Sequence, residues 1–338
     1  MAQVIFMCTS IFRIGARRCL LILCIACAAL LLARPAPAME AVREAIRLCA
    51  QTIVPSLFPF LVCSALLTAL LPAQQLNHWL SPITMPLFRL GGSSAAVLAL
   101  GFTGGYPVGV RTATTLYQQG QLTKSEAERL LSFCNNSGPG FLLGVVGIGV
   151  FDSADAGLRL YAVHITAALL VGLCFRRCCA NGPSVFVHTA SRNTDAKNLP
   201  QVFTDAVSSS FFAVLNICAF VFFFMIFLRL LSITGLLQIA AAALEWILSP
   251  FGMTEHLATA LLAGILELST GSACLQGAAL TPGTAALAAF LLGWGGLSVH
   301  CQSLLFVLET DLSCTPYFLG KFLQGVFSAL LAFVLFSL

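Results

Sequence analysis

Between Gly101 and Gly147 an otherwise apolar chain is interrupted twice by glycine, proline and polar residues, and these interruptions limit what it can fold into. The first, Phe102-Thr103-Gly104-Gly105-Tyr106-Pro107-Val108-Gly109, cannot continue a regular helix. Pro107 lacks a backbone donor, and glycine carries a large entropic cost in a helix. The second, Cys134-Asn135-Asn136-Ser137-Gly138-Pro139-Gly140, gathers amides, a hydroxyl and another Gly-Pro step. Composition sets the solvent: of 338 residues 59% are hydrophobic and 9% charged. A soluble domain carries about 25% charged residues, so this is an integral membrane protein, all-α and multi-spanning. Inside a bilayer, broken backbone is tolerated only where protein buries it or where it lines a water-filled cavity. Two breaks so close together point to a solute pathway more than to an anchor.

The net charge of +4 is dispersed, with no polybasic run, and gives nucleic-acid binding no support. Most of the 14 cysteines lie in apolar segments, where cysteine acts as a small hydrophobe. Cys178 and Cys179 are adjacent, and no paired Cys-x-x-Cys motif exists. A structural role is expected for them, and neither metal nor cofactor is.

Taken in order, residues 1–39 form either a first transmembrane helix or a cleaved signal peptide. Arg13, Arg17 and Arg18 precede the apolar run Cys19–Ala33, and Ala36-Pro37-Ala38 resembles a signal-peptidase site. We favour the retained helix, with the basic end inside and residue 39 onward outside. A first repeat, 40–175, opens with a polar helical start (40–47) and a span Leu48–Leu71, kinked at Pro55 and Pro59. Trp79-Leu80-Ser81-Pro82 reads as a turn, and 82–117 as a hairpin that dips into the membrane and returns to the same side. Thr123-Lys124-Ser125-Glu126 is a capping box opening a helix that runs through the second break to about Val150. A helix Leu158–Phe175 follows. The loop 176–203, with Arg176, Arg177, Arg192 and Lys197 against Asp195, is expected to be cytoplasmic and to divide the chain.

The second repeat, 204–338, follows the same order of features. Helix Ala206–Leu231 corresponds to Leu48–Leu71, and Leu248-Ser249-Pro250 to Leu80-Ser81-Pro82. Thr270-Gly271, within Leu268–Ser272, corresponds to Thr103-Gly104. Ser298–Ser303 corresponds to the second break, and Pro316–Leu335 to Leu158–Phe175. Three net crossings in the first half would invert the second. Inverted repeats with paired broken helices mark secondary transporters, whose sites lie near the midplane.

Candidate binding groups follow. Thr103, Gly104, Gly105 and Tyr106 at the first tip, with Ser269, Thr270 and Gly271 at the second, would bring backbone close to a solute, and helix ends there would offer free N–H and C=O groups. A tight helix-crossing turn is the structural alternative. Asn135, Asn136 and Ser137, paired with Gln302 and Ser303, offer uncharged donors and acceptors; ordinary interhelical bonding is their alternative. Glu267 and His300 are ionisable groups at membrane depth, able to bind solute or carry a coupling proton. Arg111 would balance an anion, or else snorkel to the interface. His164 and Arg229 read as structural, and Arg89 and Glu245 as interfacial. No His-Glu-x-x-His, Gly-x-Ser-x-Gly, Walker or nucleotide-binding motif occurs, so no enzymatic activity is expected. An intramembrane hydrolase using Ser298 or Ser303 with His300 has no positive support.

Gly105-Tyr106-Pro107-Val108-Gly109, followed by Leu130–Pro139 (LLSFCNNSGP), resembles the YlbJ/SpoVV family of sporulation membrane proteins over roughly residues 40–338. The resemblance implies paired gate (nucleoside-recognition) domains similar to the core of concentrative nucleoside transporters, with two re-entrant hairpins in an inverted repeat. It also implies movement of dipicolinic acid from mother cell toward forespore, across a multi-pass membrane location such as the outer forespore membrane. The two tips and the Asn-Asn-Ser break carry over as the site, with Tyr106 or Phe133 able to stack on the ring. A nucleoside-like solute, or a non-transporting spore-envelope scaffold, are the alternatives. Expected partners are the solute, lipid, and a second copy or other sporulation membrane proteins.

Overall fold

The computed structural model describes residue 18 and residues 21–70, 73–91, 93–177 and 198–338. The expectations for Arg13, Arg17, Cys19, the Cys178-Cys179 pair, Arg192, Asp195 and Lys197 fall outside the described residues. Among the described residues every regular element is helical. Five helical stretches are long and apolar enough to cross a membrane: Pro35–Leu67, Ala154–Phe175, Leu199–Ile233, Pro282–Leu308 and Thr315–Ser337.

Helix α1 (Leu21–Ala33) precedes α2 (Pro35–Leu48), a π-helical turn (Cys49–Ile53) and α3 (Val54–Leu70). The expected polar start at 40–47 is continuous with the span instead of preceding it. Pro55 cannot donate to the turn before it, and the wider turn lies just where that bond would be missing. Ala38, Ala41 and Ala45 are buried at helical spacing, forming a small-residue face on α2, which packs against α9. An ion pair from Arg229 Nη2 to Glu44 Oε2 at 2.9 Å fastens these helices together.

Three sequence expectations need correction here. Trp79–Pro82 is not a turn: α4 (Ala73–Phe88) runs through it, with exposed Pro82 and Pro86 four residues apart on one face. The helix breaks later, at Arg89 with φ 55°. The hairpin is therefore shorter than 82–117, comprising α5 (Ser94–Thr103), the tip Gly104–Pro107 and α6 (Val108–Gln118). Next comes α7 (Lys124–Leu131), opened by the expected capping box. It does not continue to Val150. Residues 132–139, all but Pro139 outside any helix, lead into a π-helix (Gly140–Val150) and α8 (Ala154–Phe175).

The second half begins with α9 (Leu199–Ile233), whose 35 residues span on the order of 50 Å, more than a bilayer core of about 30 Å. Then follow α10 (Leu236–Leu248), a 3₁₀ turn (Ser249–Phe251), α11 (Glu255–Leu266), α12 (Leu268–Ala273), α13 (Pro282–Trp294), α14 (Gly296–Leu308) and α15 (Thr315–Ser337). Ser298–Ser303, expected to break the helix, lies inside α14. The break is at Gly295 and Gly296, with φ 90° and 80°. Two successive left-handed residues favour glycine strongly, whereas serine, glutamine and histidine continue a helix at modest cost.

Backbone contact fixes the irregular segment 132–139. A methyl group on either Gly101 (α5) or Gly109 (α6) would overlap the Cys134 carbonyl oxygen, and one on Gly320 (α15) would overlap that of Ser132. The hairpin and α15 thus clamp the segment between them.

At one end of the molecule, α6, α7 and the α14–α15 turn meet. Asp311 accepts from the Tyr117 hydroxyl at 2.6 Å and pairs with Lys124 at 2.9 Å, while Glu128 accepts from Ser313 N–H at 2.9 Å. The Tyr117 hydrogen bond, then Lys124, hold the Asp311 carboxyl below its usual range. A depressed carboxyl stabilises the fold above its unfolded pKa and loses that contribution as pH falls through the folded value. Asp311→Asn should therefore unfold at a slightly lower temperature than wild type at pH 7, with the gap closing below about pH 4. Unfolding midpoints measured from pH 7 to pH 3 test this; a gap that persists at pH 3 contradicts it.

Candidate functional site

Four interruptions of helix meet in the interior. Tyr106, at the first tip, donates its hydroxyl to the Leu292 carbonyl at 2.8 Å, near the end of α13. A Cβ on Gly295 would lie 3.2 Å from that hydroxyl, and one on Gly296 3.4 Å from Glu267 Cα at the α11–α12 tip. A Cβ on Gly138 would stand 3.2 Å from Gly105 Cα, joining the 132–139 segment to the same junction.

At this junction lies a cavity of ≈ 60 Å³. Leu57, Phe60 and Leu61 of α3, with Ile217 and Phe220 of α9, form its apolar side. Its polar side comprises Thr103 to Tyr106, Ser137 to Gly140, Glu267 to Ser269, and Ser298 with Gln302. A water needs roughly 10–15 Å³ on this kind of measure, so this conformation has room for a few waters.

Of the residues singled out in the sequence, Thr103, Gly104, Gly105, Tyr106, Ser137, Ser269, Gln302 and Glu267 line this space. Their bonding differs. Glu267 accepts from Ser269 N–H at 3.0 Å, Thr270 N–H at 2.6 Å and the Thr270 hydroxyl at 2.8 Å. Its carboxylate is the N-cap of α12, and Thr270 is engaged by it. Gly271 lies against Gly264, where a side chain would overlap α11 backbone. Ser298 and Gln302, four residues apart on one face of α14, are buried, and neither side chain has a hydrogen-bond partner among the described residues. A buried amide with unused donors and acceptor on a cavity wall is well suited to a polar solute.

Behind this wall other candidates are hydrogen-bonded to one another and to α15, although Asn135 Oδ1, His164 Nδ1 and His300 Nε2 have no partner among the described residues. Asn135 Nδ2 donates to Ser303 Oγ at 2.8 Å, and His300 Nδ1 and the Tyr317 hydroxyl are 2.9 Å apart. Asn136 donates to the Phe133 carbonyl at 2.9 Å and accepts from Gln324 Nε2 at 2.7 Å. His164 Nε2 accepts from Ser137 N–H at 3.1 Å. Phe133 is buried against Phe88 at 5.0 Å between centroids, away from the cavity. Arg111 is exposed, with its guanidinium 6.0 Å from the Phe306 ring.

Sequence reasoning missed Lys321, Tyr317 and Gln324 on α15. Lys321 has no solvent exposure, and its Nζ donates to the Tyr106 hydroxyl at 2.9 Å, the Asn135 carbonyl at 2.9 Å and Gln324 Oε1 at 2.8 Å. The signal was present: one lysine inside an apolar membrane-length helix is a functional candidate by default.

This architecture defines a multi-pass α-helical membrane protein whose broken helices border a largely apolar cavity with polar groups on one side. The chain is 31% identical over 327 residues to the sporulation integral membrane protein YlbJ of Bacillus subtilis, covering 91% of this chain and 80% of that protein. It belongs to the YlbJ family. No protein-family model and no solved structure matches it.

Proposed function

We propose that the protein transports a small anionic solute across a membrane during sporulation by alternating access, and that dipicolinate is its solute. One observation carries the reading: both helical tips and both broken helices border a single cavity, where Gln302 and Ser298 present unpartnered polar groups. Irregular backbone at membrane depth is costly unless it lines such a space. The sporulation name of the Bacillus subtilis relative supports the setting. The two halves would form an inverted repeat, with each tip entering as a re-entrant hairpin from its own side. Since the cavity is ≈ 60 Å³, admitting a planar dicarboxylate requires a tip to withdraw, as alternating access demands.

Gln302 separates binding from folding, because no protein hydrogen bond is lost with it. In purified protein, Gln302→Ala should weaken dipicolinate binding about tenfold, roughly 1.4 kcal/mol, while the unfolding midpoint stays close to wild type. Titration calorimetry with thermal unfolding checks both. Unchanged affinity would remove the cavity wall from the site, and a nucleoside panel on the same protein would test the other solute class.

A further inference from the structure

Lys321 Nζ has three partners, and each can only accept from it. Asn135 contributes a backbone carbonyl. Gln324 contributes its amide oxygen, because its nitrogen donates to Asn136 Oδ1 at 2.7 Å. The Tyr106 hydroxyl has committed its own hydrogen to the Leu292 carbonyl. Three acceptors require three N–H bonds, which an ammonium has and a neutral amine lacks. The geometry therefore describes a cation. Among the described residues no carboxylate pairs with it; the described ion pairs are Lys124–Asp311, Arg159–Asp155 and Arg229–Glu44. A buried charge without a counter-ion is costly, and a nearby anion relieves that cost.

The nearest route to an anion is through Tyr106. The Lys321 ammonium lies 4.8 Å from the centroid of that ring and bonds its hydroxyl, and Tyr106 itself lines the cavity. The cavity's own carboxylate, Glu267, is already satisfied by the start of α12. We propose that Lys321 is a specificity-determining residue: the fixed positive charge behind the Tyr106 wall that makes the cavity take an organic carboxylate in preference to a neutral solute of the same shape. This deepens the transporter reading and rests on it.

The test compares dipicolinate with its neutral isostere pyridine-2,6-dicarboxamide, by calorimetry on the full-length protein in lipid nanodiscs. Wild type should prefer the dicarboxylate at least tenfold. Lys321→Met should lose that preference, weakening dipicolinate about tenfold while holding the diamide within about twofold, and Lys321→Arg should restore part of it. Should Lys321→Met not fold, the wild type still decides: the ¹⁵Nζ resonance of Lys321 should move on adding dipicolinate and stay fixed with the diamide. Equal wild-type affinities, equal loss of both in Lys321→Met, an unmoved resonance, or binding of neither solute by folded protein each overturn the assignment. The two readings fail separately. A wild type that carries neutral solutes across vesicles without preferring carboxylates remains a transporter and loses this charge role. One with Lys321-dependent preference but no vesicle flux keeps the charge role and loses transport.

Discussion

Replacing Gly109 by alanine should destabilise the protein by about 1–3 kcal/mol, the range for forcing extra atoms into a close-packed site. The added methyl would overlap the Cys134 carbonyl oxygen, a backbone atom that no side-chain rotation can clear. Gly101→Ala should do the same, because its methyl meets that same oxygen from α5. The double variant should cost clearly less than the sum, since one displacement of Cys134 relieves both overlaps. Thermal unfolding of the three variants in detergent checks this. Full additivity would mean that the two glycines do not share a contact, and the clamp on segment 132–139 would be wrong.

Asn136→Leu should also cost about 1–3 kcal/mol, because it strands the Phe133 carbonyl and takes from the Gln324 amide nitrogen its 2.7 Å acceptor, leaving that nitrogen only the 3.3 Å contact to His164 Nε2. Gln324→Leu should cost at least as much, since it strands Asn136 Oδ1 and removes an acceptor from the Lys321 ammonium. The pair should couple. In the double variant the lost Asn136–Gln324 bond is counted once, but the ammonium stays one acceptor short, so stability is only partly recovered. A double variant no more stable than the sum of the singles predicts would contradict the network. Asn136 is therefore a poor probe of solute binding, as its loss disturbs packing first. Gln302, with no protein bond to lose, is the better one.

Much of this arrangement was legible in the chain. Gly104, Gly105 and Pro107 stop a helix by backbone chemistry alone, as do Gly138 and Pro139, and the structure breaks at both places. The Thr123–Glu126 cap was readable because it needs only two side chains three residues apart. The third break was misplaced onto Ser298–Ser303 because those residues are polar. Polarity locates what a helix faces, whereas backbone conformation decides where it stops, and Gly295-Gly296 carried that information. The extent of α4 was missed because Trp79-Leu80-Ser81-Pro82 read as a turn, although exposed prolines on one face are accommodated in the helix. The close approach of Gly101, Gly109 and Gly320 to segment 132–139 joins residues far apart in sequence, and no local pattern announces such contacts. Lys321 is different: its position was visible, but its three acceptors come from α15 itself, the first tip and the 132–139 segment, so its partners emerge only in three dimensions.

The central claim is that the junction of broken helices is a solute path. Dipicolinate accumulation in sealed proteoliposomes, with and without imposed proton or sodium gradients, tests it most directly. The account predicts gradient-driven accumulation by wild type, reduced about tenfold in Gln302→Ala reconstituted to the same level of folded protein. Folded wild-type protein that accumulates neither dipicolinate nor any member of a nucleoside panel under either gradient would contradict it, and would leave the protein a membrane scaffold.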